Sequence, residues 1–164
     1  MKLNKTNAMR QLDAARIAYT PLAYDVDEND LSGTHIADCI GLPYEKVFKT
    51  IVTRSDKGVL FVFCLPCHKE IDLKKAAAVT DSKKLDTLPV KELLGATGYI
   101  RGGCSPVGMK KKLPTFFDIS ALEQNELTVS AGVRGIQLLV RREDIVSFSA
   151  AKLADVTVKD QDKS

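Results

Sequence analysis

The spacing of hydrophobic residues predicts where the chain forms helices. Ala8, Leu12 and Ala15 recur every three to four residues, which places them on one face of a helix over residues 8–17. Gly41 and Gly95 are expected to end two of the later helices. Comparable patterns predict four further helices, over residues 32–40, 73–79 and 90–94 and from residue 142 onwards.

Shorter segments rich in apolar and β-branched residues predict strands. Residues 18–24 are expected to form an edge strand, because Pro21 has no N–H to donate to a neighbouring strand. Lys57 and Gly58 predict a hairpin that joins strands over residues 47–53 and 59–65. Four more strands are predicted over residues 83–85, 115–118, 126–130 and 135–140.

The order of these elements predicts the class of fold. Strands and helices follow one another without strict alternation, and no repeat or linker interrupts them. This order favours a mixed or antiparallel sheet with helices packed on it. We therefore expect a single α/β domain of the α+β-like kind over residues 1–164, with a polar tail over residues 158–164 that frays.

The composition is that of an ordinary globular protein. Hydrophobic residues make up 45% and charged residues 27% of the 164 positions, which excludes a disordered or fibrous chain. The apolar run over residues 59–65 is far shorter than the ~18 residues of a membrane span. Residues 1–10 also lack the apolar stretch of a signal peptide. We expect a cytoplasmic protein.

The net charge is slightly positive. The chain has 24 Lys and Arg residues against 21 Asp and Glu residues, a formal charge of +3. This charge permits an anionic partner without requiring one. Aromatic residues amount to 6% and Trp is absent. The composition therefore does not indicate a stacking surface for single-stranded nucleic acid.

The four cysteines, Cys39, Cys64, Cys67 and Cys104, are expected to be reduced in a chain without an export signal. Cys64, Cys67 and His68 spell the CxxCH pattern of covalent haem attachment, and CxxC alone is a redox motif. However, the pattern closes an apolar strand instead of opening a helix, and no second pair of residues has metal-ligand spacing. We expect Cys64 to pack in a strand and Cys67 to lie in the next turn, with no metal and no cofactor.

A glycine-rich loop is the most unusual segment of the chain. It contains Gly98, Gly102, Gly103, Pro106 and Gly108. Glycine lets backbone N–H groups approach a ligand closely, and such groups can hold a phosphate or a developing oxyanion. The spacing matches neither a P-loop nor a dinucleotide-binding fingerprint. On spacing alone, a structural turn is slightly favoured over a ligand-binding loop, and both remain open.

Lysines supply the candidate positive charge. The run at residues 110–112 follows the glycine loop and is either a solvated face or an attraction for phosphate. Lys49 lies in an apolar strand and faces the same way as Val47 and Ile51. A lysine there either extends its amine to the edge of the sheet or points it into a cleft that holds an anion or a carbonyl.

The sequence contains no recognisable catalytic nucleophile. His35 and His68 have no Ser or Cys in a familiar arrangement, and the acids near Asp27 have the pattern of a solvated turn. What remains is a site made of backbone amides and a lysine. Such a site positions and polarises a substrate instead of attacking it.

Four segments of the chain form a recognisable set. They are the glycine loop with its lysines (97–112), the strand with a central lysine (47–50), a Leu-Lys-Lys-Ala-Ala helix (73–77) and a Val-Ser-Ala-Gly-Val-Arg-Gly turn (129–135). In this order, over nearly the whole chain, they resemble the YbaK/EbsC family of Cys-tRNA(Pro) deacylases, which is related to the editing domain of bacterial prolyl-tRNA synthetase. The resemblance implies a curved, partly barrel-like mixed sheet surrounded by helices.

The resemblance also implies an activity, the clearance of mischarged Cys-tRNA(Pro). The substrate's own thiol would attack the ester carbonyl and form a thiolactone. Lys49 would hold a phosphate or the carbonyl, and N–H groups around Gly102 and Gly103 would stabilise the oxyanion. The implied partners are the acceptor end of an aminoacyl-tRNA and prolyl-tRNA synthetase, without a membrane or a metal. The implied substrate-binding residues are Tyr24, Tyr99, Ser105, Pro106, Arg134 and Gln137.

The chain departs from the family pattern at two positions. Gln137 stands where many relatives have Asp, and Ala131 stands where they have Gly. If that Asp contacts the substrate amine, the amide of Gln137 keeps a hydrogen bond but loses a charge. The loss would weaken recognition of the amine by on the order of tenfold.

Three other functions remain open. The first is a deacylase for another small residue, such as Ala-tRNA(Pro), which thiol dependence of turnover would distinguish. The second is a non-catalytic module that binds tRNA or nucleotides. The presence of Lys49 argues against it, because loss of this lysine is the simplest route to an inactive site. The third is a redox or haem protein built on Cys64 and Cys67, which an absorbance spectrum would reveal.

Overall fold

The computed structural model describes residues 4–159, which form five α-helices and eight β-strands. The helices are α1 (Asn7–Ala14), α2 (Gly33–Ile40), α3 (Leu73–Val79), α4 (Val90–Thr97) and α5 (Arg142–Phe148). The strands are β1 (Tyr19–Ala23), β2 (Phe48–Ser55), β3 (Leu60–Pro66), β4 (Leu85–Thr87), β5 (Thr115–Asp118), β6 (Glu126–Ser130), β7 (Ile136–Arg141) and β8 (Lys152–Ala154). Short 3-10 helices, Tyr44–Lys46 and Ile119–Glu123, precede β2 and β6.

The strands form two sheets that meet at one β-bridge. The first is antiparallel, in the order β1-β7-β6, and the second is mixed, in the order β4-β2-β3-β5-β8. A parallel bridge between Val47 and Thr128 joins the start of β2 to β6. Beside it, the Lys46 ammonium donates to the Glu126 carbonyl oxygen over 3.0 Å. The predicted mixed α/β domain is confirmed, with two open sheets, neither of them closed into a barrel.

The largest core lies on one face of these joined sheets. Phe48, Val129 and Leu138 point into it from β2, β6 and β7, and α1 and α5 cover it with Leu12 and Ile145. Alternation sends every second strand residue to this side, and each fully buried large apolar side chain stabilises the fold by about 1.5–3 kcal/mol. The burial therefore fixes the register of β6, β7 and β2 relative to one another.

Two smaller apolar clusters lie on the opposite face of the second sheet. Phe63 and Leu65 of β3 pack there against α3. Val47 and Cys67 pack against Ala37 of α2. Consequently β2 has apolar packing on both faces.

The helix ends follow from local hydrogen bonding, and two predicted ends were wrong. Gly41 ends α2 in the left-handed conformation with φ of 72°, as predicted. In contrast, α4 continues past Gly95 because glycine is tolerated inside an exposed helix, and it ends at Gly98 with φ of 85°. The first helix ends at Ala14, since Arg16 already has φ of 61°. The strand β8 had no counterpart among the predicted elements.

Two further observations concern the C-terminal residues and the length of the helices. Residues 160–164 of the tail that was expected to fray lie outside the described residues, whereas Val158 donates its N–H to the Glu70 carbonyl oxygen over 2.9 Å. In residues 4–159, no helix has the length and apolar character needed to cross a membrane.

Candidate active site

Strand register places Gln137 and Ser130 side by side on the face that points away from the main core. In the β1–β7 pair, Leu22 lies opposite Gln137, and in the β6–β7 pair, Ser130 lies opposite Gln137. Directly opposed residues of neighbouring strands point to the same face. Their chain neighbours Val129 and Leu138 are buried in the main core, so the three side chains lie on the other side.

Lys49 continues this row on β2. The bridge joins Val47 to Thr128 in a parallel register, so the residues two positions further along the two strands are Lys49 and Ser130. Phe48 belongs to the main core, which turns Lys49 to the opposite face. We call the resulting set, from β1 to β2, the outer row: Leu22, Gln137, Ser130 and Lys49.

The Lys49 ammonium is partly buried and unpaired. Its cross-strand partner is Leu65, and no hydrogen bond or ion pair joins its amine to another residue between 4 and 159. Burial lowers the pKa of Lys49 from its ordinary value of 10.5, an effect that nearby Cys67 and Glu70 oppose. A desolvated, unpaired ammonium gains more from an anionic or carbonyl ligand than a solvated one does.

The polar groups beside Lys49 are only partly satisfied by the protein. Gln137 is 4% exposed, and its Oε1 accepts a hydrogen bond from Thr128 Oγ1 over 3.1 Å. Its amide nitrogen has no acceptor in the described part of the chain. The Ser130 hydroxyl accepts from the Gly132 N–H over 3.1 Å, and it keeps its own proton to donate. The outer row therefore offers a cation, an amide and a hydroxyl to a substrate.

Arg134 connects three loops at the end of the outer row: the glycine loop, the acidic loop and the turn between β6 and β7. Its Nε donates to the Arg101 carbonyl oxygen of the glycine loop over 2.8 Å, and its Nη1 pairs with Glu28 of the acidic loop over 3.1 Å. Arg134 itself lies in the turn between β6 and β7. Tyr24 extends β1 beside this turn, with its N–H donating to the Gly135 carbonyl oxygen over 2.9 Å. Arg134 and Tyr24 thus lie where the glycine loop meets the outer row.

The two central glycines of the loop differ in their hydrogen bonding. The Gly103 N–H donates to the Ile100 carbonyl oxygen over 3.0 Å and is therefore engaged in a turn. The Gly102 N–H has no acceptor among the described residues, so it is the better candidate donor to an oxyanion. A Cβ on Gly103 would lie 3.2–3.3 Å from backbone atoms of Val133 and Arg134. Glycine at 103 therefore allows the loop to approach the turn between β6 and β7.

Tyr99 and Ser105 support the loop from inside. The Tyr99 hydroxyl donates to the Val107 carbonyl oxygen, and its ring packs against Gly132. Ser105 is fully buried, and its hydroxyl accepts from the Val107 N–H over 3.2 Å. Pro106 lines a separate cavity formed with α1 and α5. All three residues are predicted to bind substrate. In the structure, Tyr99 and Ser105 hydrogen-bond to the loop's own backbone, and Pro106 lines the separate cavity.

The thiols near the site are poor nucleophiles in this environment. Burial raises the pKa of Cys64 and of Cys104 to about 12 and that of Cys67 to about 11, although Lys49 lowers the last somewhat. Because the thiolate is the attacking form, almost none is present at neutral pH. Cys64 lies in β3 and Cys67 in the following turn, as predicted. In residues 4–159, no group of three or more His, Cys, Asp or Glu side chains is placed to hold a metal.

Ser130 is a candidate site residue that the sequence analysis did not single out. Ser130 alternates with the buried Val129, which indicates that its side chain points away from the core. This indicates a site residue only once β6 is known to lie beside β2. Thr128, which holds the Gln137 amide, was missed for the same reason. Glu28 was dismissed as part of a solvated loop, and its partner Arg134 is 106 residues away in the chain.

Comparison with known proteins gives concordant matches. The family model described as the aminoacyl-tRNA editing domain matches residues 34–148. The chain is 39% identical over 156 residues to an Enterococcus faecalis protein that carries the provisional name Cys-tRNA(Pro)/Cys-tRNA(Cys) deacylase EbsC, with 95% of each chain covered.

Solved structures share the fold. The crystal structure of the hypothetical protein APE2540 has a TM-score of 0.85 at 17% identity, covering 93% of this chain and 100% of that one. A protein provisionally described as a trans-editing enzyme for prolyl tRNA synthetase has a TM-score of 0.79 at 20% identity, covering 96% and 100%. At these identities the likeness extends to the fold alone.

Proposed function

The chain belongs to the aminoacyl-tRNA editing domain family, and on that premise we propose that it clears cysteine from mischarged tRNA(Pro). Members of this family are deacylases, so the protein is an enzyme that cleaves the ester of an aminoacyl-tRNA. Its 39% identical relative is named for cysteinyl-tRNA substrates. The cysteine specificity, the tRNA(Pro) identity and the chemical route are the proposed part.

The observation that carries the proposal is the unpaired ammonium of Lys49 in the outer row. An aminoacyl ester presents a carbonyl oxygen and a neighbouring phosphate, and both are ligands for a desolvated cation. Ser130 and Gln137 stand on the same face, at positions where they can contact the amino acid. The cation would stabilise the charge that develops on the carbonyl oxygen during ester cleavage, with the Gly102 N–H as a second donor.

The attacking group is proposed to be the substrate's own thiol. The cysteinyl sulfur attacks the ester carbonyl carbon, the bond from that carbon to the ribose oxygen breaks, and the thiol proton ends on the ribose hydroxyl. The products are a four-membered thiolactone and free tRNA, and no oxidant or cofactor is needed. This route is supported by the raised pKa values of Cys64, Cys67 and Cys104, which disfavour attack by a protein thiol.

A panel of three esters tests the proposal. We expect fast deacylation of Cys-tRNA(Pro) and little of Ala-tRNA(Pro) or Pro-tRNA(Pro), because only the first carries a thiol. Product analysis should trap the thiolactone, and added prolyl-tRNA synthetase should stimulate turnover if it supplies tRNA selection. Cleavage of the alanyl ester at a similar rate would contradict the thiol route, and failure on all three esters would contradict tRNA(Pro) as the substrate.

Gln137 provides a test of how the substrate amine is recognised. We expect Gln137→Asp and the isosteric Gln137→Glu to raise kcat/KM for Cys-tRNA(Pro) by about tenfold, because a carboxylate binds an ammonium more strongly than an amide does. Both variants should lose some stability, since the side chain is 4% exposed and a buried charge is costly. Steady-state kinetics beside thermal unfolding separates the two effects. Unchanged kcat/KM in both variants would remove Gln137 from amine recognition.

A further inference from the structure

A second cluster of reactive side chains lies on helix α2, outside the outer row. His35 and Cys39 are four residues apart and therefore share one face of the helix. The Cys39 Sγ lies 3.5 Å from His35 Nε2, and His35 Nδ1 lies 3.8 Å from Asp30 Oδ2. The sequence shows no familiar nucleophile arrangement for His35, but the fold places a thiol, an imidazole and a carboxylate in a row.

The carboxylate of this row is held in place by the start of α2. Asp30 Oδ1 accepts hydrogen bonds from the Ser32 N–H over 3.1 Å and from the Ser32 hydroxyl over 2.6 Å. The Ser32 Oγ in turn accepts from the His35 N–H over 3.3 Å. These bonds engage Oδ1 and leave Oδ2 beside the ring. A carboxylate next to Nδ1 favours the tautomer with its proton there, so Nε2 is left to accept the thiol proton.

The thiol of this cluster is open to solvent. Cys39 is exposed, whereas Cys64 and Cys67 are buried and Cys104 is half-buried. Burial raises the pKa of Cys64 and Cys104 to about 12 and that of Cys67 to about 11, so these three thiols do not compete as nucleophiles at neutral pH. An exposed thiol beside a base meets the two conditions for reaction with a soluble electrophile.

The end of α2 favours reaction with a disulfide over attack on a carbonyl group. Cys39 lies in the last turn of the helix, where the N–H groups of Gly41 and Leu42 both donate to the Ala37 carbonyl oxygen, over 2.9 and 3.2 Å. The last turn of a helix presents carbonyl oxygens instead of free N–H groups. Attack on an ester needs donors for the developing oxyanion, whereas thiol–disulfide exchange needs none.

We propose that Cys39 is a modification site that forms a mixed disulfide with a small disulfide. The Cys39 sulfur attacks one sulfur of the reagent, and the S–S bond of the reagent breaks. The thiol proton passes to His35 Nε2 and then to the departing thiolate. Cys39 is thereby oxidised, and one half of the reagent leaves as a reduced thiol. Asp30 is a positioning residue that acts through the ring of His35.

The charge around the cluster indicates which disulfides react. Residues 25–42 contain five acids and no Lys or Arg, and Asp38 directly precedes Cys39. A negative surface raises the local concentration of cations and lowers that of anions. We therefore expect the cationic cystamine to be favoured over the anionic glutathione disulfide by about threefold more than it is by free N-acetylcysteinamide, and high salt should remove the difference. An equal preference of the protein and the free thiol would contradict this role of the acids.

Variants of the three residues test their roles in the reaction with cystamine. The parent should gain one adduct per chain, which peptide mass mapping places on Cys39 and which Cys39→Ser abolishes. His35→Gln removes the base and should slow the reaction about tenfold, less than the roughly 10²–10⁴-fold of an enclosed general base because this site is exposed. Asp30→Asn keeps an oxygen for Ser32 and should slow it about threefold, and Asp30→Glu should restore the rate. Asp27→Asn makes the same charge change in the same loop, as a matched control.

Chemical rescue separates a base from a merely structural residue. Added imidazole should recover part of the rate lost in His35→Ala and leave the parent unchanged, and no recovery would overturn the role of His35. The parent should also react about tenfold faster than a peptide of residues 36–42, which has the thiol without the base. Equal rates for parent and peptide, equal rates for parent and His35→Gln, or an adduct on another cysteine would overturn the proposal. None of these measurements uses deacylation, so they are independent of the proposed function.

Discussion

Replacing Lys49 by Ala or Met is expected to lower kcat for deacylation of Cys-tRNA(Pro) by about 100- to 1,000-fold, the usual cost of removing one donor to a developing oxyanion. The loss should be in kcat more than in KM if the ammonium acts on the carbonyl oxygen. It should be in KM if the ammonium holds a phosphate. Single-turnover and steady-state assays separate these outcomes, with Lys57→Ala as an exposed-lysine control.

The same substitution should not weaken the fold. Burial lowers the pKa of Lys49 below 10.5, so folding disfavours its charged form. The resulting destabilisation is fully present below the folded-state pKa and disappears as the pH rises through the unfolded-state pKa. At pH 7 the penalty is present, and Lys49→Met removes it while keeping the length of the side chain. We expect an equal or higher Tm for Lys49→Met, and a clear fall in Tm would mark Lys49 as a structural residue.

A residue that costs stability and supports activity is typical of a functional site. Part of this site could be predicted from the sequence alone. A charge inside an apolar strand is visible in the printed chain, and Lys49 could be selected on that ground. Its neighbours could not, because Ser130 and Gln137 become its companions only through the pairing of β6 with β7 and the single bridge between β6 and β2.

The glycine loop was recognisable from its sequence, but the roles of its members were not. Gly102 and Gly103 look equivalent in the chain, yet only the second N–H is engaged by a carbonyl oxygen. Tyr99 and Ser105 are predicted to bind the substrate, and the hydrogen bonds of both to Val107 could not be read from the sequence. Such assignments depend on the path of the backbone, which residue types alone do not determine. The local elements, by contrast, follow from periodicity and caps, as the bounds of α3 illustrate.

Gly132→Ala is expected to destabilise the protein by about 2–4 kcal/mol, because two separate costs add. Gly132 has φ of 92°, which an L side chain rarely adopts, and its Cβ would lie 2.9 Å from Cε1 of the buried Tyr99 ring. Gly41→Ala is the matched control, since Gly41 has φ of 72° but no atom within 4 Å of the new Cβ. Only the conformational cost of about 1–2 kcal/mol should appear there.

The difference between these two variants measures the contact with Tyr99, and it has a functional consequence. If the ring is forced to move, its hydroxyl releases the Val107 carbonyl, and the glycine loop loses its internal support. Gly132→Ala should then show reduced kcat at temperatures where it is still folded, whereas Gly41→Ala should retain the parent's rate. Urea unfolding gives the two free energies, and deacylation below both midpoints gives the rates. Equal destabilisation with equal rates would mean that Tyr99 yields freely and that the loop does not depend on it.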